Sequence, residues 1–310
     1  MMERLLLSLI AGLGGQLAAF GEPSDQARTS AAFSRKSILP LVAEPGKERR
    51  IFSSFKAGER ATWNPEFWGA PLGFKAYTGV GWNKPQAGIL VTPEHVVGAA
   101  HYGVNASGVD FYGLDGQHLG NRKPARDEAG TIIASRLKRD VIVIRLSAPA
   151  PEGAAIVKLP DPKGHSQRLK WNSLAPGERP LLVATDWRNP KPTAPAKAGE
   201  EPRKQKWRIT RSAHPVLLRS INEQAGILQW SLGAANDPAV DTSYHETVNK
   251  GDSSHPLFWV TPSGLVLASH FTGITAGPDY GNPDLQKELQ QAIDELGGSE
   301  ARRLSFAPVP

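Results

Sequence analysis

Three polar residues, His101, Asp140 and Ser253, have types and settings that suit nucleophilic catalysis. A serine hydroxyl is a weak nucleophile until a neighbouring imidazole takes its proton, and a buried carboxylate fixes the tautomer of that imidazole. Together the three side chains could attack a carbonyl carbon and form a covalent acyl intermediate. Taken singly, each would more simply be a structural histidine, a strand-end aspartate or a turn serine, so the prediction depends on their combination.

The surrounding sequence places each residue beside a short apolar strand. His101 follows two apolar runs and the small residues 98–100, which allow close backbone packing ahead of the imidazole. Asp140 opens the apolar run 141–146, where an acid is costly unless it has a partner. Ser253 lies in a turn that begins with a glycine and leads into another apolar run. These settings favour a shared site over three separate structural roles.

These segments resemble the histidine, aspartate and serine motifs of the trypsin-like (chymotrypsin-fold) serine peptidases of the bacterial secreted type, in that family's order. The order is informative because the same triad occurs in other orders on unrelated folds. The resemblance covers residues 66–297 and implies an all-β fold of two six-stranded antiparallel β-barrels with a C-terminal helix. We assign Ser253 as nucleophile, His101 as general base and Asp140 as the residue that orients the base.

The resemblance also describes the turn around the nucleophile. It implies an oxyanion hole formed by the backbone N–H groups of Gly251 and Ser253, and a buried structural acid at Asp252. The family usually has two glycines after the nucleophile, whereas this chain has Ser254 and His255. Their β-carbons disfavour backbone conformations that are open to glycine, so this turn departs from the family pattern. We interpret His255 as structural.

A specificity pocket beside the nucleophile is implied as well. Its walls would come from the segment around Thr247 and from His270, Phe271 and Thr272. Trypsin has an aspartate at the position of Thr247, so cleavage after Lys or Arg should be poor here. The run His270-Phe-Thr-Gly is similar to the His-Trp-Gly-Gly of bacterial glutamyl endopeptidases, in which the histidine helps to bind an acidic side chain. We expect a preference for Glu or small residues, and the alternative is a packed His270 beside a small apolar pocket.

The elements that would position these residues read as short strands. From about residue 66 onward, apolar or alternating runs are separated by Gly, Pro, Asn and Asp, as is typical of an all-β barrel or sandwich. One strong helix is predicted near the end, where Asn282 is the cap and Pro283 the first residue of an amphipathic run that Gly297 ends. Residues 298–310 are interpreted as a C-terminal tail.

The first 65 residues are predicted to lie outside the peptidase domain. Residues 1–21 have the layout of a secretory signal peptide, with Arg4 ahead of an apolar run and then small residues, which predicts a secreted or periplasmic protein. Residues 22–65 are rich in Ser, Pro, Ala and charge, and we interpret them as an N-terminal arm, linker or pro-segment. The Arg50-Ile51 bond resembles a zymogen activation site, and a plain linker is the alternative.

Composition limits the partners. The chain of 310 residues has a net charge of +6, but its basic residues are scattered, so we expect no nucleic-acid partner. Binding of an anionic polymer or cell surface would rest on charge alone. The absence of cysteine rules out disulfides, thiolate zinc and a thiol nucleophile, and the histidines lack metal-ligand spacing, so we predict no metal and no cofactor. No later run reaches the roughly 20 apolar residues of a membrane span.

These observations predict a secreted serine endopeptidase that acts on protein or peptide substrates as a monomer. The alternative is a trypsin-like fold that has lost turnover through Ser254 and His255 and serves as a protein-binding module. A fluorophosphonate probe would separate the two, because only an activated serine beside a formed oxyanion hole reacts quickly.

Overall fold

The computed structural model describes residues 24–82, 87–102, 106–188, 210–231, 252–298 and 302–310. In these ranges the chain is predominantly β, with short 3-10 turns and a few helices. The α-helices are α1 (Asp25–Ala43), α2 (Lys75–Thr78), α3 (His165–Leu169) and α4 (Pro283–Leu296). None of the helices in the described ranges is long and apolar enough to cross a membrane.

Most strands belong to one of two antiparallel sheets. The strands are β1 (Phe52–Ser54), β2 (Thr62–Trp63), β3 (Val80–Trp82), β4 (Ala87–Thr92), β5 (His95–Ala99), β6 (Val109–Tyr112), β7 (His118–Arg122), β8 (Ala134–Leu137), β9 (Val141–Arg145), β10 (Leu159–Pro160), β11 (Leu181–Arg188), β12 (Thr210–Asn222), β13 (Ile227–Ser231), β14 (Pro256–Thr261), β15 (Gly264–His270), β16 (Ala276–Pro278) and β17 (Phe306–Ala307). The first sheet has seven strands in the order β7-β6-β3-β4-β5-β9-β8, and the second has six in the order β15-β14-β11-β12-β13-β16.

Both sheets are curled. After β7 the chain returns to the first sheet through a bridge between Pro124 and Leu146. In the second sheet the Tyr280 amide, just after β16, donates to the Ala268 carbonyl of β15 at 3.1 Å, so the two edge strands approach each other. The prediction of a mostly β fold with a C-terminal helix is confirmed. Closure into two six-stranded barrels stays a prediction.

The largest hydrophobic core joins the two sheets. It contains Trp82 and Val97 from the first sheet and Val183 and Phe258 from the second, each with no exposed surface. Strands β5 and β14 are buried along their whole length, so their positions are fixed on both faces. Because His101 follows β5 and Ser253 precedes β14, this core holds the two strand ends close to each other.

Helix α1, which the sequence did not predict, lies in the segment that was interpreted as an arm, linker or pro-segment. Ser24 caps it by accepting a hydrogen bond from the Ala27 amide at 3.3 Å. Its inward face packs against β11 and β14. The buried residues of that face are Ala27, Ala31, Ser34, Ile38 and Val42. The buried face of this helix is made mostly of small residues, and its last turns contain Pro40. The helical period of apolar residues is therefore weak, so the sequence did not predict the helix.

Helix α4 is present where the sequence predicted it. The Asn282 side chain accepts a hydrogen bond from the Leu285 amide at 3.0 Å, and Pro283 occupies the first turn. Gly297 ends the helix with φ +74°, a left-handed conformation that glycine adopts without a steric cost. The helix is anchored over β8 and β9, the strands that flank Asp140.

Candidate active site

The pairing of β5 with β9 brings His101 next to Asp140. Ala99 pairs with Val141 in register, so the chain that leaves β5 meets the chain that enters β9. The Ala100 amide donates to the Asp140 carbonyl at 2.9 Å, and the His101 amide donates to Asp140 Oδ1 at 2.8 Å. The backbone ahead of the imidazole is therefore fixed on the aspartate.

The side chains of Asp140, His101 and Ser253 form one hydrogen-bonded chain. Asp140 Oδ2 contacts His101 Nδ1, and His101 Nε2 lies 2.9 Å from Ser253 Oγ. With the proton on Nδ1, the ring presents Nε2 as an acceptor for the serine hydroxyl. The imidazole side chain is 44% exposed, so an incoming substrate can reach it. This arrangement meets the geometric requirement for general-base activation of a serine.

Asp140, the partner of His101, lies in a strained turn of the backbone. Arg139 and Asp140 have φ values of +63° and +59°, in the left-handed region that residues other than glycine rarely adopt. Two contacts stabilise this turn: Arg139 Nε donates to the Ala225 carbonyl at 2.9 Å, and Arg139 Nη1 donates to Glu288 at 3.2 Å. Strain of this kind costs about 1–3 kcal/mol for each residue and persists only where neighbouring groups enforce it.

The turn that carries Ser253 is closed by short-range hydrogen bonds. The His255 amide donates to the Asp252 carbonyl at 3.0 Å, and His255 Nδ1 lies 3.1 Å from the same oxygen. Both side chains are buried, as was predicted for Asp252, and the buried His255 has the setting of a structural histidine. Burial, aided by Arg211, lowers the pKa of His255 to about 3. Gly251, the other predicted oxyanion donor, lies outside the described residues.

A buried cation, which the sequence analysis missed, lies beneath this turn. Arg211 is only 2% exposed, and its guanidinium lies 5.5 Å from the centre of the Phe55 ring and 5.4 Å from that of Trp82. Burial lowers the pKa of Arg211 to about 10, while electrostatic interactions with Tyr112, Asp186 and Asp252 oppose that shift. The only signal in the sequence is a basic residue a few positions ahead of the apolar run 215–218, where an isolated buried charge would be costly.

The Arg50-Ile51 bond, which resembles an activation site, lies in paired backbone. Arg50 forms an antiparallel bridge with Ser212, and the Ile51 amide donates to the Arg211 carbonyl at 2.8 Å. The Ile51 side chain is fully buried. A positive charge that interacts with Asp252 is the guanidinium of Arg211.

The predicted specificity residues differ in their exposure. His270 is fully buried, and its Nδ1 lies 2.8 Å from the hydroxyl of Tyr280, a residue that the sequence analysis did not single out. Burial lowers the pKa of His270 to about 3, so the ring is neutral. Phe271 is buried and Thr272 is partly exposed. Thr247 lies outside the described residues.

Buried histidines predict a loss of stability in acid. Burial lowers the pKa of His95 to about 4 and that of both His255 and His270 to about 3, whereas a histidine in the unfolded chain has a pKa of about 6.5. The unfolded chain therefore takes up protons first as the pH falls. The free energy of unfolding should be largest above about pH 6.5 and should decrease below it, with each histidine contributing about 1.4 kcal/mol per pH unit, down to about pH 4 for His95 and about pH 3 for His255 and His270.

Denaturant unfolding between pH 4 and pH 7 measures this slope. His255→Gln should flatten it relative to the parent protein, because the glutamine side chain does not titrate. An unaltered slope in His255→Gln would show that this ring takes up its proton in the folded state.

Comparisons with known proteins leave the class open. No model of a known protein family matches the chain, and a search of curated proteins finds no match. Among the residues that the structure describes, no group of three or more His, Asp or Glu side chains is placed to hold a metal ion. The observed curled antiparallel sheets are compatible with a two-barrel trypsin-like fold. Any assignment of function must therefore depend on the geometry of the site.

Proposed function

We propose that this chain is a secreted or periplasmic serine endopeptidase with a trypsin-like fold of two six-stranded barrels. The observation that supports it most is the continuous chain from Asp140 through His101 to Ser253, closed by the 2.9 Å contact between Nε2 and Oγ. The three residues come from separate loops, 39 and 152 positions apart from His101, and the packing of two sheets brings them together. The backbone turn at Asp140 is strained, and an aspartate with a purely structural role would not require that strain. The strained turn therefore supports a functional role for the three residues.

The reaction follows from these positions. Ser253 Oγ attacks the carbonyl carbon of the scissile bond while His101 Nε2 takes the hydroxyl proton, and Asp140 stabilises the resulting imidazolium. The tetrahedral intermediate collapses when the C–N bond breaks and His101 gives its proton to the leaving amine. Water then attacks the acyl-enzyme by the same route and releases the acid and free Ser253.

The negative oxygen of each tetrahedral intermediate needs hydrogen-bond donors. We assign this role to the backbone N–H groups of Gly251 and Ser253. Donors of this kind stabilise the transition state by an amount that corresponds to about 100- to 1000-fold in rate for each donor. The reaction uses no cofactor.

A neutral His270 is suited to an acidic or small side chain at the cleaved position. If Tyr280 donates its hydroxyl proton to Nδ1, the proton of the ring lies on Nε2, which is buried in the free protein, so a carboxylate would accept from it only once substrate binding opens the wall of the pocket. An acidic side chain would otherwise be buried without a partner, at a large cost. With Thr247 where trypsin has its aspartate, no carboxylate is expected to attract a basic side chain. We therefore propose a preference for Glu or small residues over Lys and Arg.

Digestion of a peptide library, with the cleaved bonds identified by mass spectrometry, tests both the activity and its specificity. We expect cleavage of internal bonds, after Glu or small residues, and loss of the Glu preference in His270→Ala. The control His118→Ala should keep the parent pattern. Absence of any Ser253-dependent cleavage would overturn the peptidase proposal, and dominant cleavage after Lys or Arg would overturn the specificity.

A further inference from the structure

Ser254, the residue after the nucleophile, has a backbone conformation that normally favours glycine. Its φ is +73°, and the residue is only 4% exposed. A serine is strained in this region, so its presence needs a compensating interaction. The compensation is provided by the hydroxyl group.

The Ser254 hydroxyl binds the strand that leads to His101. The Ala99 amide, at the end of β5, donates to Ser254 Oγ at 2.8 Å, and both residues are buried. A buried backbone N–H without an acceptor is costly, so this bond stabilises the end of the strand. A glycine at position 254 would relieve the strain but would leave this amide without the hydroxyl.

Three consecutive amides now account for the position of the imidazole. The Ala99 amide donates to Ser254, the Ala100 amide to the Asp140 carbonyl, and the His101 amide to Asp140 Oδ1. The aspartate therefore holds the histidine turn through two of these bonds. Ser254 holds it through the third, from the neighbourhood of the nucleophile.

Two further features agree with a role of Ser254 in joining the two sheets. The Ser254 amide donates to the Phe271 carbonyl at 2.9 Å, which fixes the residue to the chain that follows β15 in the second sheet. In the first sheet, Gly98 leaves room for the hydroxyl, since a β-carbon there would lie 3.0 Å from Ser254 Oγ and 3.3 Å from Ser254 Cβ. Ser254 thus joins the second sheet to β5 directly beside Ser253 and His101.

We propose that Ser254 is a positioning residue that sets the distance between Ser253 Oγ and His101 Nε2 by clamping the Ala99 amide. The inference rests on the proposed function, because the distance matters only if Ser253 is a nucleophile. It acts through the backbone of the histidine turn and does not contact the reacting atoms. Ser254 stands where the trypsin-like family usually has a glycine, and its hydroxyl would contribute to the geometry of the site.

Replacement of Ser254 by Ala and by Gly separates this role from a purely structural one. Both variants lose the acceptor, so both should react with a fluorophosphonate probe about 10- to 100-fold more slowly, with kcat for peptide hydrolysis reduced and KM little changed. If Ser254 only shaped the turn, Ser254→Gly should react with the probe at least as fast as the parent protein, because glycine tolerates φ +73° better than serine does. A rate for Ser254→Gly at or above that of the parent protein overturns the proposal.

A second measurement does not depend on activity. Amide hydrogen exchange of Ala99, followed by NMR in a Ser253→Ala background, should be about 5- to 10-fold faster after Ser254→Ala, as expected for loss of one hydrogen bond. Unchanged exchange at Ala99 overturns the clamp. Faster exchange in a protein whose parent form does not react with the probe supports the clamp and overturns the peptidase proposal instead, so the two failures are distinguishable.

Gly98→Ala provides a variant that leaves Ser254 in place. Its β-carbon would press on the hydroxyl, so it should slow the probe reaction, but in a Ser254→Gly background it should add little. If Gly98→Ala slowed the probe reaction equally in the parent protein and in Ser254→Gly, a contact between residue 98 and the Ser254 side chain would be contradicted. Thermal unfolding of each variant establishes that the folded protein is being compared.

Discussion

Ser253→Ala and His101→Ala should each lower kcat/KM for peptide hydrolysis by about a million-fold, and the double variant should be scarcely worse than either. The hydroxyl and the imidazole are 2.9 Å apart and act in one proton transfer, so removal of either one abolishes the same step. Rate measurements on the single and double variants give the coupling directly.

Matched variants show that the loss is local. Ser263→Ala changes an exposed turn serine and His118→Ala a histidine that pairs with Asp110, and both should retain the parent rate within about twofold. The unfolding midpoints of all variants should agree closely, because His101 is exposed and the changes remove few core contacts. Independent, multiplicative losses from Ser253→Ala and His101→Ala would contradict a shared proton-transfer step.

Asp140→Asn should lower kcat by about 10⁴-fold and leave the backbone in place. The carboxylate accepts from both the His101 amide and the ring nitrogen Nδ1. An amide side chain can accept only one of these and presents an N–H to the other, which favours the ring tautomer with its proton on Nε2. That tautomer cannot take the proton of Ser253.

The pair formed by Asp110 and His118 supplies the control. His118 Nε2 lies 2.9 Å from Asp110 Oδ1, so Asp110→Asn makes the same chemical change away from Ser253. It should leave kcat within about twofold of the parent value. A loss smaller than about tenfold in Asp140→Asn would mean that the aspartate does not set the tautomer of His101.

His101, Asp140 and Ser253, which the structure brings together, could be selected from the sequence because three short motifs occur together. An aspartate at the start of an apolar strand and a serine in a glycine-bounded turn are each ambiguous alone, but their motifs and the histidine motif occur together in the order of the family that they resemble. The predicted cap at Asn282 and the helix that follows were confirmed because their signals are local.

The supporting contacts could not be predicted because they join residues far apart in the sequence. Ala99 and Ser254 are separated by 155 positions, and nothing near either residue indicates that one accepts a hydrogen bond from the other. Arg211 likewise becomes informative only when its burial beside the Trp82 ring is known. Helix α1 was missed because its buried face is made largely of small residues.

Reaction of the purified protein with a fluorophosphonate probe, followed by mapping of the modified residue by mass spectrometry, tests whether Ser253 is an activated nucleophile. The probe reports the nucleophile without any assumption about the natural substrate. We expect rapid, stoichiometric modification of Ser253, and no modification in Ser253→Ala or His101→Ala. A parent protein that does not react, or full labelling of Ser253→Ala, would contradict the assignment of Ser253 as an activated nucleophile.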